Sequence, residues 1–159
     1  MPTPPPGTMR LAQFLWVVSF LVGAGCIFIV YFVRESQLDW LRELVREASL
    51  DTSPETLDTI TGLVFWASLG AVSLVILIEV FLVSTVMHAR NWARWALVGV
   101  MLLHLAVTVL AGAFLVPPDN RGPFVLSFLA VQLIMALAAT VTMFLPATAA
   151  WIKSRARPV

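Results

Sequence analysis

His88-Ala89-Arg90-Asn91-Trp92-Ala93-Arg94-Trp95 is a polar, basic and aromatic turn between two apolar runs, Gly62 to Met87 and Ala96 to Val116. At about 1.5 Å of rise per helical residue, each run is long enough to cross a hydrocarbon core of about 30 Å. The two runs therefore read as a membrane hairpin. Arg90 and Arg94 resist translocation, and Trp92 and Trp95 settle at headgroup level, so the turn reads as a cytoplasmic interface with these four residues as its anchors.

The whole chain agrees with that reading. Of 159 residues, 60% are hydrophobic and 12% charged, against about 45–50% and about 25% in soluble domains. The predicted class is all-α: a bundle of four transmembrane helices with one short extramembrane amphipathic helix between the first and second. The basic residues sit at segment ends and form no patch of the kind that binds phosphate backbones, so nucleic acid is excluded as a partner. Cys26 stands alone and can form no internal disulfide.

Working outward from the hairpin, residues 1–10 are a proline-rich leader expected to be a flexible tail. The four-helix domain spans 11–152, with helices at about 11–33, 62–87, 92–116 and 124–145. Arg10, the following apolar run and Gly23-Ala24-Gly25-Cys26 have the outline of a lipoprotein signal. The residue three before Cys26 is Gly, however, and the apolar run continues to Val33, which favours an uncleaved first span. Ser19, Gly23, Ala24 and Gly25 suit close helix packing.

Leu38, Leu41, Leu44, Val45 and Ala48 recur at helical spacing within the polar stretch 34–50, predicting an amphipathic helix at about 35–49 that lies on the membrane surface or caps the bundle. Its acidic stripe, Glu35, Asp39, Glu43 and Glu47, reads first as a solvated face and second as a docking or weak cation site. Ser53 and Pro54 open a helix that can run straight into the second span. Pro117-Pro118 end the third span, Pro123 can open the fourth, and Pro146 closes it. Trp151 then anchors the end of the domain, and 153–159 is a basic tail.

Four crossings place both termini on one side. That side holds Arg10, Arg90, Arg94, Lys153, Arg155 and Arg157, against Arg34, Arg42, Arg46 and Arg121 on the other. Counting positive charge therefore predicts a multi-pass protein of the cell membrane with both termini cytoplasmic.

Three long polar side chains fall at membrane depth: Glu79, His104 and Gln132. Glu79 lies eleven residues before Arg90 and His104 ten after Arg94, so both are about 15 Å deep. They are expected to pair across the hairpin, because a lone ionised group facing lipid costs several kcal/mol. Gln132 comes within about a turn of the same level and reads as interhelical glue, a role that averages about 0.6 kcal/mol per bond. Met101, Met135 and Met143 read as packing filler. No catalytic or metal-binding motif appears. The expectation is a protein that is not an enzyme and has no cofactor and no metal site.

Arg90-Asn91-Trp92-Ala93-Arg94-Trp95, with Phe144-Leu145-Pro146 and the Pro-rich start before Arg10, resembles a group of small four-helix membrane proteins common in actinobacteria. The resemblance implies this topology and supplies no catalytic residues. Small multidrug exporters share the size and helix count but carry their membrane glutamate in the first helix, where this chain has none. Two functions follow as expectations. One is a non-catalytic accessory or scaffold subunit that joins a larger membrane complex or itself within the lipid bilayer. The other is a small oligomeric transporter or proton-coupled carrier using Glu79 and His104.

Overall fold

The computed structural model describes residues 4–48, 53–88 and 90–156. It is all-helical: α1 (Gly7–Phe32), α2 (Arg34–Ala48), α3 (Pro54–Met87), α4 (Asn91–Leu115), α5 (Gly122–Met143) and α6 (Pro146–Ala156). Among them α1, α3, α4 and α5 are long and apolar enough to cross a membrane, which makes the chain a multi-pass membrane protein by length and composition. Ala89 and Arg157, and the ends of the expected segments at residues 1–3, 49–50 and 157–159, lie outside the described residues.

The bundle follows from heptad spacing. In α1 the buried positions are Met9, Ala12, Trp16, Ser19, Gly23, Cys26 and Val30, with steps alternating between three and four residues. In α5 they are Gly122, Val125, Leu129, Gln132, Ala136, Ala139 and Met143, again alternating three and four apart, with Thr140 beside the seam. A 3.5-residue repeat is the seam of a left-handed pair. α1 accordingly packs chiefly on α5, and α3 on α4. The outward faces carry Phe14, Leu21, Phe28, Leu77, Phe81, Leu102 and Ile134, all exposed. In water such a surface would drive aggregation; in a bilayer it is the solvated surface.

Two boundaries differ from the sequence reading and a third follows it. The first helix starts at Gly7, inside the expected flexible tail. Pro6 serves as its N-cap, its carbonyl accepting from Met9 and Arg10, and Met9 is fully buried. Thr8 is tied to Thr148 by a 2.7 Å hydroxyl hydrogen bond, which brings both termini to one end. Second, the stretch after Pro146 is the helix α6, with Ile152 buried in the core; Pro146 both stops α5 and occupies the first position of the next helix. Third, α3 has 34 residues, because Ser53 caps it as expected, accepting from the Thr56 amide at 3.4 Å.

α2 caps the other end of the bundle. Leu41 is fully buried in the cluster that contains Phe65, Leu115 and Val125, and the Gln37 side-chain amide donates to the Leu115 carbonyl. The turn between α4 and α5 is tight enough that a Cβ on Gly122 would collide with the Pro117 carbonyl oxygen, so only glycine fits there.

Candidate functional site

The α3–α4 hairpin fixes the site. α3 ends at Met87 and α4 begins at Asn91, so residues equally distant from this short connection lie at one depth. Glu79 is on the buried face of α3 with Val72, Ile76, Val83 and Val86. His104 is on the buried face of α4 with Leu97, Met101 and Ala111. Oε1 of Glu79 and Nδ1 of His104 are joined by a 2.7 Å hydrogen bond. Their side chains are 0% and 2% exposed. With one proton between them the pair is neutral overall, whether written as carboxylic acid and imidazole or as carboxylate and imidazolium. That neutrality is what makes the pair tolerable inside a bundle.

Gln132 links two helices, but through its backbone rather than its side chain. Its backbone carbonyl accepts from the Ser19 hydroxyl at 3.0 Å, which links α5 to α1. Neither atom of its side-chain amide has a hydrogen-bond partner. The amide lies against Gly23, whose absent Cβ would sit 2.6 Å from Gln132 Nε2 and 2.9 Å from Ile76 Cδ1. Three helices thus meet around Gln132, and Ser19 supplies the glue that the side chain was expected to provide. Glu79 Oε2 and Trp16 Nε1 are likewise buried without a partner. Ser19 belongs to the site through its bond to the Gln132 carbonyl and was missed as a polar contributor, since a serine among small residues reads as close packing.

The chemistry available is narrow. Neither Glu79 nor His104 is on the wall of five cavities of about 130 to about 330 Å³ among the described residues. No group of three or more His, Cys, Asp or Glu that could hold a metal ion occurs among those residues. The arrangement can hold a proton between two helices and resist separation of the charges.

The interface anchors divide. Trp92 and Trp95 are 54% and 65% exposed, Arg90 is exposed and Trp151 half-buried. Arg94 instead turns inward: it is 6% exposed, with its guanidinium carbon 4.5 Å over the Phe144 ring and Nη1 donating to Asn91 Oδ1 at 3.3 Å. At the α2 end, hydrogen bonds from Arg121 hold the Asp119 carboxyl below the usual carboxylate range. Its bond to Asp58 likewise raises Arg42.

No protein-family model, curated protein or solved structure matches the chain.

Proposed function

We propose that this chain is a non-catalytic accessory or scaffold subunit of the cell membrane, with both termini cytoplasmic, joining a larger membrane complex or further copies of itself. The observation that carries the reading is the closure of the Glu79–His104 pair. A carrier must present its site to each side in turn, and its ionisable groups line a path. These two groups are bonded to each other, share the buried faces of α3 and α4 with apolar side chains, and are almost wholly enclosed. A sealed neutral pair fixes the register of α3 on α4; it does not conduct.

The lengths of the helices support the rest. At about 1.5 Å per residue α3 is about 50 Å long, far more than the hydrocarbon core of about 30 Å, so its first turns project with α2 into the outer headgroup layer. There Glu35, Asp39, Glu43, Arg46 and Glu47 of α2 are exposed, while Gln37 and Leu41 are sealed beneath. The resemblance to the small actinobacterial four-helix group fits the same topology.

The test uses Glu79→Gln and His104→Gln in two assays. In liposomes the wild-type protein should pass no more protons than protein-free vesicles, as reported by an internal pH dye. In mild detergent each variant should lose yield and assembly. Proton or solute flux that Glu79→Gln abolishes while assembly is retained would establish the carrier instead.

A further inference from the structure

Arg94 is an ionised group with no countercharge of its own. Its Nε is buried and has no hydrogen-bond partner, and none of the ion pairs among the described residues includes it. The acidic residues of the chain explain why. Apart from Glu79, which is taken by His104, every Asp and Glu belongs to the segment 35–58 or is Asp119, and those among the described residues lie at the opposite end of the bundle. A guanidinium held under a layer of side chains without an acid is costly unless an anion arrives from outside the chain.

The surface beside Arg94 says what kind of anion fits. A groove of about 330 Å³ runs between α4 and α5, flanked by Val98, Leu102, Leu137 and Phe144. It continues into a hollow of about 130 Å³ that reaches Leu105 and Leu133. The one hydroxyl on its wall, that of Thr140, already donates to the Ala136 carbonyl of its own helix, so the groove offers no hydrogen bond. Phe144 belongs both to the groove and to the Arg94 guanidinium stack, which makes the cation the head of the slot. From Arg94 to Leu105 is about 16 Å along the helix, matching one leaflet of a core of about 30 Å.

We propose that this groove binds one anionic phospholipid, with the phosphate on Arg94 and an acyl chain lying along the α4–α5 slot to the midplane. Charge complementarity and leaflet length favour a lipid over a free anion, which would leave the slot empty, and over a protein helix, which would leave the guanidinium uncompensated. Planar guanidinium groups bind phosphate oxygens through paired N–H donors, and Trp95, packed edge-on to Phe144 at 5.3 Å, closes the head of the site at headgroup level. The far end of the bundle provides an internal contrast. There a cavity of about 250 Å³ also has an arginine on its wall, Arg121, but that guanidinium is already held by Asp119 through two bonds of 2.8 and 2.5 Å.

The test is native mass spectrometry of the full chain, delipidated in detergent and titrated with phosphatidylglycerol or phosphatidylcholine of matched acyl chains. Wild type should retain one phosphatidylglycerol per chain with a preference of roughly five- to tenfold, the scale of one basic residue near an anionic surface. Arg94→Gln should bring the two lipids to parity, while Arg121→Gln should leave the preference intact. Val141→Trp, on the lipid-exposed rim of the groove, should lower occupancy by both lipids; because it alters no buried contact it carries the test if Arg94→Gln fails to fold. Millimolar inorganic phosphate should not displace the lipid. Equal binding of the two lipids by wild type, a preference that survives Arg94→Gln, occupancy unchanged in Val141→Trp, or displacement by phosphate alone would each overturn the proposal.

Discussion

At the α2 end of the bundle Arg42 sits between Asp39 and Asp58, Arg46 bonds Glu43, and Arg121 is clasped by Asp119. At the end that carries both termini, Arg10, Arg90, Arg94, Lys153 and Arg155 form no ion pair among the described residues. Exposed pairs of this kind contribute about 0–1 kcal/mol each, so stability is not what distinguishes the ends. What differs is where the countercharge comes from. One end neutralises Arg42, Arg46 and Arg121 within the chain, with Arg34 set over the Tyr31 ring, and the other forms no such pair, leaving its basic residues for an anionic surface of the kind the proposed cytoplasmic side provides. The bundle between is common to both, sealed by Glu79 and His104 where neither end can supply charge.

The largest way to break this contrast acts on the cap. Leu41 is fully enclosed, so Leu41→Glu should destabilise the protein by at least ~3 kcal/mol, combining a lost apolar contact with a buried, unpaired carboxylate. Thermal unfolding in detergent should show a clear drop or a loss of folded yield. Glu43→Gln, on the exposed face of the same helix, should leave the transition unmoved. Equal and severe effects from both would mean that the acidic face is itself a contact surface.

How much of this was legible in the sequence depended on whether length or rotation decided the point. The spans were legible because twenty or more apolar residues admit one solution in a bilayer. The Glu79–His104 pairing was legible because a hairpin makes distance from the turn equal to depth, and two ionisable groups at one depth have only each other. Arg94 was not. Its position at a basic turn suggested a surface anchor, but whether a residue at the end of a helix faces out or in depends on helix rotation, which Phe144 decides from fifty residues away. Gln132 was placed by depth in the same way as His104, but its side chain makes none of the interhelical bonds expected of it, because side-chain direction is not a matter of depth. The α6 helix was hidden by Pro146, which signals an end and a beginning with the same residue.

A smaller effect sharpens the contrast at the α2 end. Asp119 titrates below its usual value because Arg121 donates to its carboxylate, so the folded form binds its proton less readily than the unfolded form. The stabilisation is therefore fully present above the ordinary aspartate value of about 4 and is lost as pH falls through the lower folded value. Asp119→Asn should lower the melting temperature slightly at pH 7, and the difference from wild type should shrink on acidification below about pH 4. A difference that persists unchanged to the lowest pH would show that the turn is held by something other than this pair.

The claim that organises all of this is that the unpaired basic end faces the cytoplasm and the self-neutralised α2 end faces out. A reporter active only in the cytoplasm, fused after the last residue in one version and inserted at Ser53 in another, reads it directly. The account predicts activity from the C-terminal fusion and none from the Ser53 insertion; activity only from the Ser53 insertion would contradict it.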